Sequence, residues 1–141
     1  MADNRTVTAT IGKDPYRTEL KTSDHTIWSD EPTDAGGKNQ GPTPGDLMRM
    51  SLASCTAITL RMYADRKKWD VDRISVTVTS EKMKYKTIFT CAIEVSGDLN
   101  EEQRKRFDEI AHSCPVHKLL SSPIEIATTM VVASAKVESN T

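Results

Sequence analysis

The stretch from Leu47 to Ala64 sets the tightest limit on how this chain folds. Thr43-Pro44-Gly45-Asp46 reads as a helix start: Thr43 suits the N-cap, Pro44 the first helical position, and Asp46 the positive helix end. A helix is therefore expected from about Pro44 to Lys68, closed by Arg66, Lys67 and Lys68, whose charges complement its negative end. Through its middle, residues such as Leu47, Met50, Leu52, Ala57, Ile58 and Met62 make it apolar nearly all round. A helix that is apolar all round has to be enclosed. In a small domain one sheet covers only one side of it, so the pattern points to a second chain on the other side, a dimer.

Around this helix the hydrophobic period is that of strands. Arg5 to Ile11 alternates Val7, Ala9 and Ile11 with three threonines, Tyr16 to Thr22 reads as a second short strand, and His25 to Ser29 as a third. Asp30 to Pro42 is a glycine- and proline-rich loop, long enough to suggest a functional or mobile segment. After the helix, Asp72 to Met83 and Tyr85 to Ser96 alternate as a hairpin, the second strand showing Ile88, Ile93 and Val95. The lysines at its tip, Lys82, Lys84 and Lys86, suit a solvated, aggregation-resistant edge. Asn100 to His112 is an amphipathic helix with Asn100 as cap and Gln103 three residues on. Pro115 to Ser121 is a shorter helix, Ile124 to Val132 a final strand, and Ala133 to Thr141 a frayed polar tail. The order is that of an α+β fold, and 141 residues fit one domain spanning 1–141.

Composition removes several classes of function. A net charge of -1 gives no overall field toward nucleic acid or a membrane. Arg49 and Arg61 interrupt the longest apolar run, so no bilayer-spanning helix is expected. The opening Met1 to Arg5 lacks the basic start and apolar run of a secretory signal, and three cysteines are too few and of the wrong parity for a disulfide-built secreted scaffold. A cytoplasmic protein with thiols reduced at rest is the expectation.

Two of those cysteines occupy settings that suit chemistry. Cys114 directly precedes Pro115, near a helix start whose dipole favours the thiolate, the reactive form of the thiol. Cys55 lies about three turns into the long helix and needs a cation from elsewhere; Lys13, Arg17 and Arg61 are candidates. Brought together, the two could reduce an oxidant by passing through a disulfide; left apart, they are packed thiols like most free cysteines. Cys91, inside a strand, reads as structural. His112, Cys114 and His117 form a compact set of nitrogen and sulfur groups, but Pro115 interrupts it and no fourth ligand is apparent, so no metal is expected. No phosphate-binding glycine motif and no nucleophile-elbow serine occurs.

Two motifs then carry a resemblance. Gly41-Pro42-Thr43-Pro44-Gly45-Asp46-Leu47 with Ser51-Leu52-Ala53-Ser54-Cys55-Thr56-Ala57 is similar to the central-helix signature of the OsmC/Ohr family, the osmotically inducible and organic-hydroperoxide-resistance proteins. Cys114-Pro115-Val116-His117 resembles its second signature, and Asp30-Glu31-Pro32 with Gly36-Gly37 resembles a less characterised branch. The likeness implies antiparallel sheets around long central helices in an intertwined homodimer. It also implies a thiol-dependent peroxidase that reduces small hydrophobic organic hydroperoxides in oxidative stress defence. By carry-over, Cys55 is the peroxidatic cysteine and Cys114 the resolving one, with no bound cofactor and an external dithiol, possibly of lipoyl type, as reductant. The family's arginine position holds Lys13, with Arg17 nearby as a substitute. Its glutamate position holds Gly45, and Asp46 follows one residue later. Lys lacks the planar fork of Arg, so these departures leave open a second expectation: a weakly active or non-catalytic stress protein that binds a hydrophobic small molecule.

Overall fold

A computed structural model describes residues 5–133. All of the expected tail, Ala133 to Thr141, except Ala133 lies outside the described residues, as do Met1 to Asn4 at the other end. Three short strands, β1 (Thr8–Thr10), β2 (Thr18–Lys21) and β3 (Thr26–Ser29), form one antiparallel sheet in the order β1-β2-β3. The long helix α1 (Pro44–Lys67) follows, then β4 (Asp70–Lys82) and β5 (Thr87–Asp98) as a second antiparallel sheet. Helices α2 (Glu101–Ala111) and α3 (Pro115–Leu120) complete the order. The α+β architecture matches the sequence pattern.

Local chemistry fixes the helix ends where the sequence indicated. Thr43 accepts from the Asp46 N–H while the Asp46 carboxylate accepts from the Thr43 N–H, a reciprocal cap on α1. Asn100 and Gln103 make the same exchange on α2. At the far end of α1, Lys68 turns into the left-handed region with φ 59° and stops the helix.

The expected loop, Asp30 to Pro42, is folded around one side chain. The Asp30 carboxylate, 2% exposed, accepts backbone N–H bonds from Tyr16, Glu31, Lys38 and Gln40. Thr33–Ala35 forms a single 3-10 turn within it. Gly37 is required there, because a Cβ would sit 2.1 Å from the Glu31 carbonyl oxygen. The segment expected to be functional or mobile is tied together by a buried carboxylate that accepts four amide bonds.

The hairpin is longer than its alternating pattern suggested, and its register sorts the side chains. Val76 faces Ile93, Ile74 faces Val95 and Val78 faces Cys91, so Phe89, Cys91, Ile93 and Val95 share one face of β5. Ile88, grouped with Ile93 in the sequence reading, is on the opposite face, because side chains alternate and the two residues differ in parity. The core gathers at the C-terminal half of α1, where Leu60, Tyr63 and Ala64 pack on Val71, Phe107 and Ala111. The Tyr63 ring meets Trp69 edge-on at 5.3 Å, and its hydroxyl accepts from Arg106 Nε at 3.0 Å.

One element expected from sequence is absent. Ile124 to Val132 forms no strand, and its side chains stand in the open, Ile126 at 84% and Val131 at 90% exposure. A strand needs an edge to pair with, and within the described residues this segment finds none. Among the described residues, the sheet β1–β3 similarly makes its substantial contacts within itself.

Candidate functional site: a buried thiol pair

The N-terminal half of α1 and the start of α3 bring Cys55 and Cys114 together. Their thiols lie within mutual hydrogen-bonding reach, although both are free. Cys114 is the N-cap of α3 and fully buried, at 0% exposure; Cys55 is half-buried. The two sulfurs therefore differ in access and in electrostatics. Burial pushes the Cys55 thiol up, its hydrogen bond to Cys114 and the charge there push it further, and the Val116 N–H and Thr59 hydroxyl oppose this only in part. Burial also works against ionising Cys114, but the Cys55 thiol, the His117 and Val116 N–H groups and the Thr56 hydroxyl outweigh it, so Cys114 lies below its ordinary value. Of the two, the enclosed sulfur is the more acidic and the more accessible one the less acidic. Neither amide closes a full side-chain cap on α3; they act as dipoles aimed at the sulfur.

The expected charged neighbours are elsewhere in the single chain. Arg17 lays its guanidinium over the Trp28 ring at 3.7 Å, and Lys13 is exposed in the turn between β1 and β2. Arg61 bonds Asp65 and the carbonyls of Val71 and Asp72. Asp46 stands nine residues before Cys55, about two and a half turns, so it projects from the opposite side of α1. There it pairs with Arg49 at 2.9 Å, and Arg49 also donates to the Ser80 hydroxyl. A Cβ on Gly45 would come within 3.3 Å of that guanidinium, so the glycine at the expected glutamate position leaves room for Arg49 to fold back. No cation figures among the main influences on either thiol. Burial, hydrogen bonds and backbone dipoles set their ionisation here.

Sequence reasoning left Cys91 out of the site, and the structure places it beside it. Cys91 lies near enough to Cys114 for charge on one to disfavour charge on the other, and burial raises it first. It also lines a cavity of about 440 Å³ with Thr56, Phe89, Ala111, His112 and His117. The strand parity that puts Cys91 on the inner face was readable; its closeness to Cys114 was not. His112 donates from Nδ1 to the Asp108 carbonyl at 2.8 Å and meets the His117 ring edge-on at 5.4 Å. Among the described residues no three His, Cys, Asp or Glu side chains gather as a metal site.

A family model for OsmC-like protein matches residues 37–129, a span that holds both Cys55 and Cys114. The chain belongs to the OsmC family. Its solved relatives include an OsmC-like protein from Mycoplasma pneumoniae, 20% identical with a TM-score of 0.72 over 85% of this chain and 89% of that one. A Psychrobacter arcticus 273-4 protein named for osmotic stress induction and a detoxification response is 27% identical, with a TM-score of 0.69 over 84% and 90%. The organic hydroperoxide resistance protein OhrB of Bacillus subtilis is 22% identical, with a TM-score of 0.58 over 84% and 91%. No curated protein matches the chain. The OsmC fold thus places Cys55 on its long helix and Cys114 at the start of its last helix. No helix among the described residues is long and apolar enough to cross a membrane.

Proposed function

We propose that this OsmC-family chain is a cytoplasmic thiol peroxidase for small hydrophobic organic hydroperoxides, acting as a homodimer in redox and stress defence. The observation that carries the reading is the contact between Cys55 and Cys114, two thiols far apart in sequence and of opposite electrostatic bias. Access selects Cys55 as the sulfur that meets substrate, because Cys114 has no exposed surface. As the Cys55 sulfur attacks the terminal peroxide oxygen, its proton passes by way of Cys114, the more acidic sulfur, to the departing alkoxide. The O–O bond breaks, the alcohol leaves with a proton, and Cys55 becomes a sulfenic acid. Cys114 then attacks that sulfur, water leaves, and a disulfide closes the pair. An external dithiol of lipoyl type supplies two electrons and two protons to reopen it. A homodimer is favoured by the uncovered apolar side of α1, where Met48, Ile58 and Met62 are more than half exposed, and by the unaccompanied β1–β3 sheet that carries Lys13 and Arg17. A second copy is the source from which either cation reaches Cys55.

The test is consumption of tert-butyl hydroperoxide with dihydrolipoamide as reductant. Wild type turns over, Cys55→Ser does not, and oxidised wild type yields a Cys55–Cys114 disulfide by peptide mass spectrometry. Equal, slow peroxide loss in wild type and Cys55→Ser sinks the enzyme reading. That result favours the second one, a weakly active or non-catalytic stress protein that binds a hydrophobic small molecule, which the lack of a cation among the main influences on the thiols supports.

A further inference from the structure

Thr56 directly follows Cys55 on α1, yet its side chain serves the other sulfur. It is 2% exposed, and a buried hydroxyl keeps its hydrogen on an acceptor. Its Oγ1 donates to the Leu52 carbonyl, four residues back, at 2.8 Å. That carbonyl belongs to the helical ladder of α1, which pairs it with the Thr56 N–H. The hydroxyl is thus a second donor to an oxygen already satisfied, and its departure leaves the ladder intact. Its alternative acceptor is the Cys114 sulfur, which lies within hydrogen-bonding reach of the same hydroxyl. A hydroxyl carries one hydrogen, so it serves either the carbonyl or the sulfur. Valine has nearly the same shape and brings no polar group to satisfy, so packing alone does not account for a threonine here. Thr59, three residues on and therefore on the same face of the helix, is half-buried, and its hydroxyl bonds Cys55. Two threonines of one stripe divide the two sulfurs between them.

We propose that Thr56 is a positioning residue for the resolving thiol: as the Cys114 sulfur takes on charge, the Thr56 hydroxyl hydrogen turns from the Leu52 carbonyl to that sulfur and holds it against Cys55. The inference rests on the resolving role proposed for Cys114. Only the hydroxyl hydrogen has to move, by rotation about the Cβ–Oγ1 bond. A sulfur with this donor attacks the Cys55 sulfenic acid from a larger ionised fraction, and it leaves more readily when the disulfide is reduced. Other titratable groups come from every element around Cys114: Cys55 on α1, Cys91 on β5, Asp108 and His112 from α2, and His117 on α3. The experiment therefore uses the full chain carrying Cys55→Ser and Cys91→Ser, which leaves Cys114 as its one thiol and keeps Asp108 and both histidines in every variant compared. The Cβ chemical shift of labelled cysteine follows Cys114 ionisation against pH. Thr56→Val is expected to move the midpoint to higher pH, and Thr56→Ser to keep it near its parent's. Thr59→Val removes a hydroxyl from the same helix and leaves the midpoint in place. With all three cysteines present, disulfide closure after one peroxide pulse slows about threefold or more at neutral pH in Thr56→Val, and higher pH recovers it. An equal midpoint in Thr56→Val and its parent overturns the proposal, as does Thr56→Ser behaving like Thr56→Val. Should Thr56→Val fail to fold, Thr56→Ala against Thr56→Ser makes the same comparison. A threonine with a structural role alone changes thermal unfolding and leaves the midpoint unmoved. Failure of the peroxidase reading is seen separately, as absence of closure in every variant, and the midpoints still decide the role of Thr56.

Discussion

At the scale of single residues, the site depends on how the two sulfurs differ in acidity. The Cys55 thiol is pushed up by burial first and by Cys114 second. Replacing Cys114 with Ser removes the second influence and keeps most of the first, so the pH profile of Cys55 alkylation by iodoacetamide is expected to move to lower pH. An unmoved profile means that Cys114 does not govern Cys55. Asp30 and Asp46 obey a different rule. Both carboxylates are held below the ordinary value of 3.8, Asp30 mainly by the Gln40 N–H and Asp46 mainly by Arg49. A depressed folded-state pKa contributes stability that is fully present above 3.8 and is lost as pH falls through the folded value. Asp30→Asn is therefore expected to be less stable than wild type at neutral pH, with the gap closing under strong acid in circular dichroism. A constant gap across that window removes the carboxylate from the account. Asp30 was illegible in the sequence because nothing in Ser29-Asp30-Glu31 distinguishes an anion that binds four amides from a surface acid.

At the scale of elements, local signals were the readable ones. Helix caps and strand parity need only a few neighbouring residues, so α1, α2 and both strands of the hairpin were all anticipated within a few residues of their bounds. Thr43→Ala breaks the reciprocal cap on α1 and is expected to cost about 1 kcal/mol in urea unfolding. A cost near zero means that the following proline and tertiary packing alone hold the helix start. The segment Ile124 to Val132 shows where local pattern stops. Its β-branched residues suit a strand, yet strand formation depends on a partner edge that the pattern does not contain.

At the scale of the whole molecule, the described residues leave much apolar surface open: the outer side of α1, the segment after α3, and a three-stranded sheet that makes no substantial contact with a described helix. Exposed apolar patches of this kind mark interaction surfaces. Ile58 is 53% exposed in the single chain, so Ile58→Asp there alters stability by less than about 0.5 kcal/mol. With a second copy against α1, the same change dissociates the assembly and makes its unfolding depend on protein concentration. Light scattering on wild type and Ile58→Asp separates the two: a dimer that becomes a monomer supports the assembly, and an unchanged monomer in both removes it.

The helices and the hairpin were determined by the sequence alone, because each follows from short-range periodicity and capping; the enclosure of α1 is an expectation from the same pattern. The choice of thiols came from two motifs and their resemblance to a family. Only the tertiary structure decided that Cys91 joins them, that Asp46 turns away toward Arg49, and that the acidic sulfur is the buried one. These are consequences of which side chains converge across elements distant in sequence, and ionisation responds to that convergence rather than to residue type.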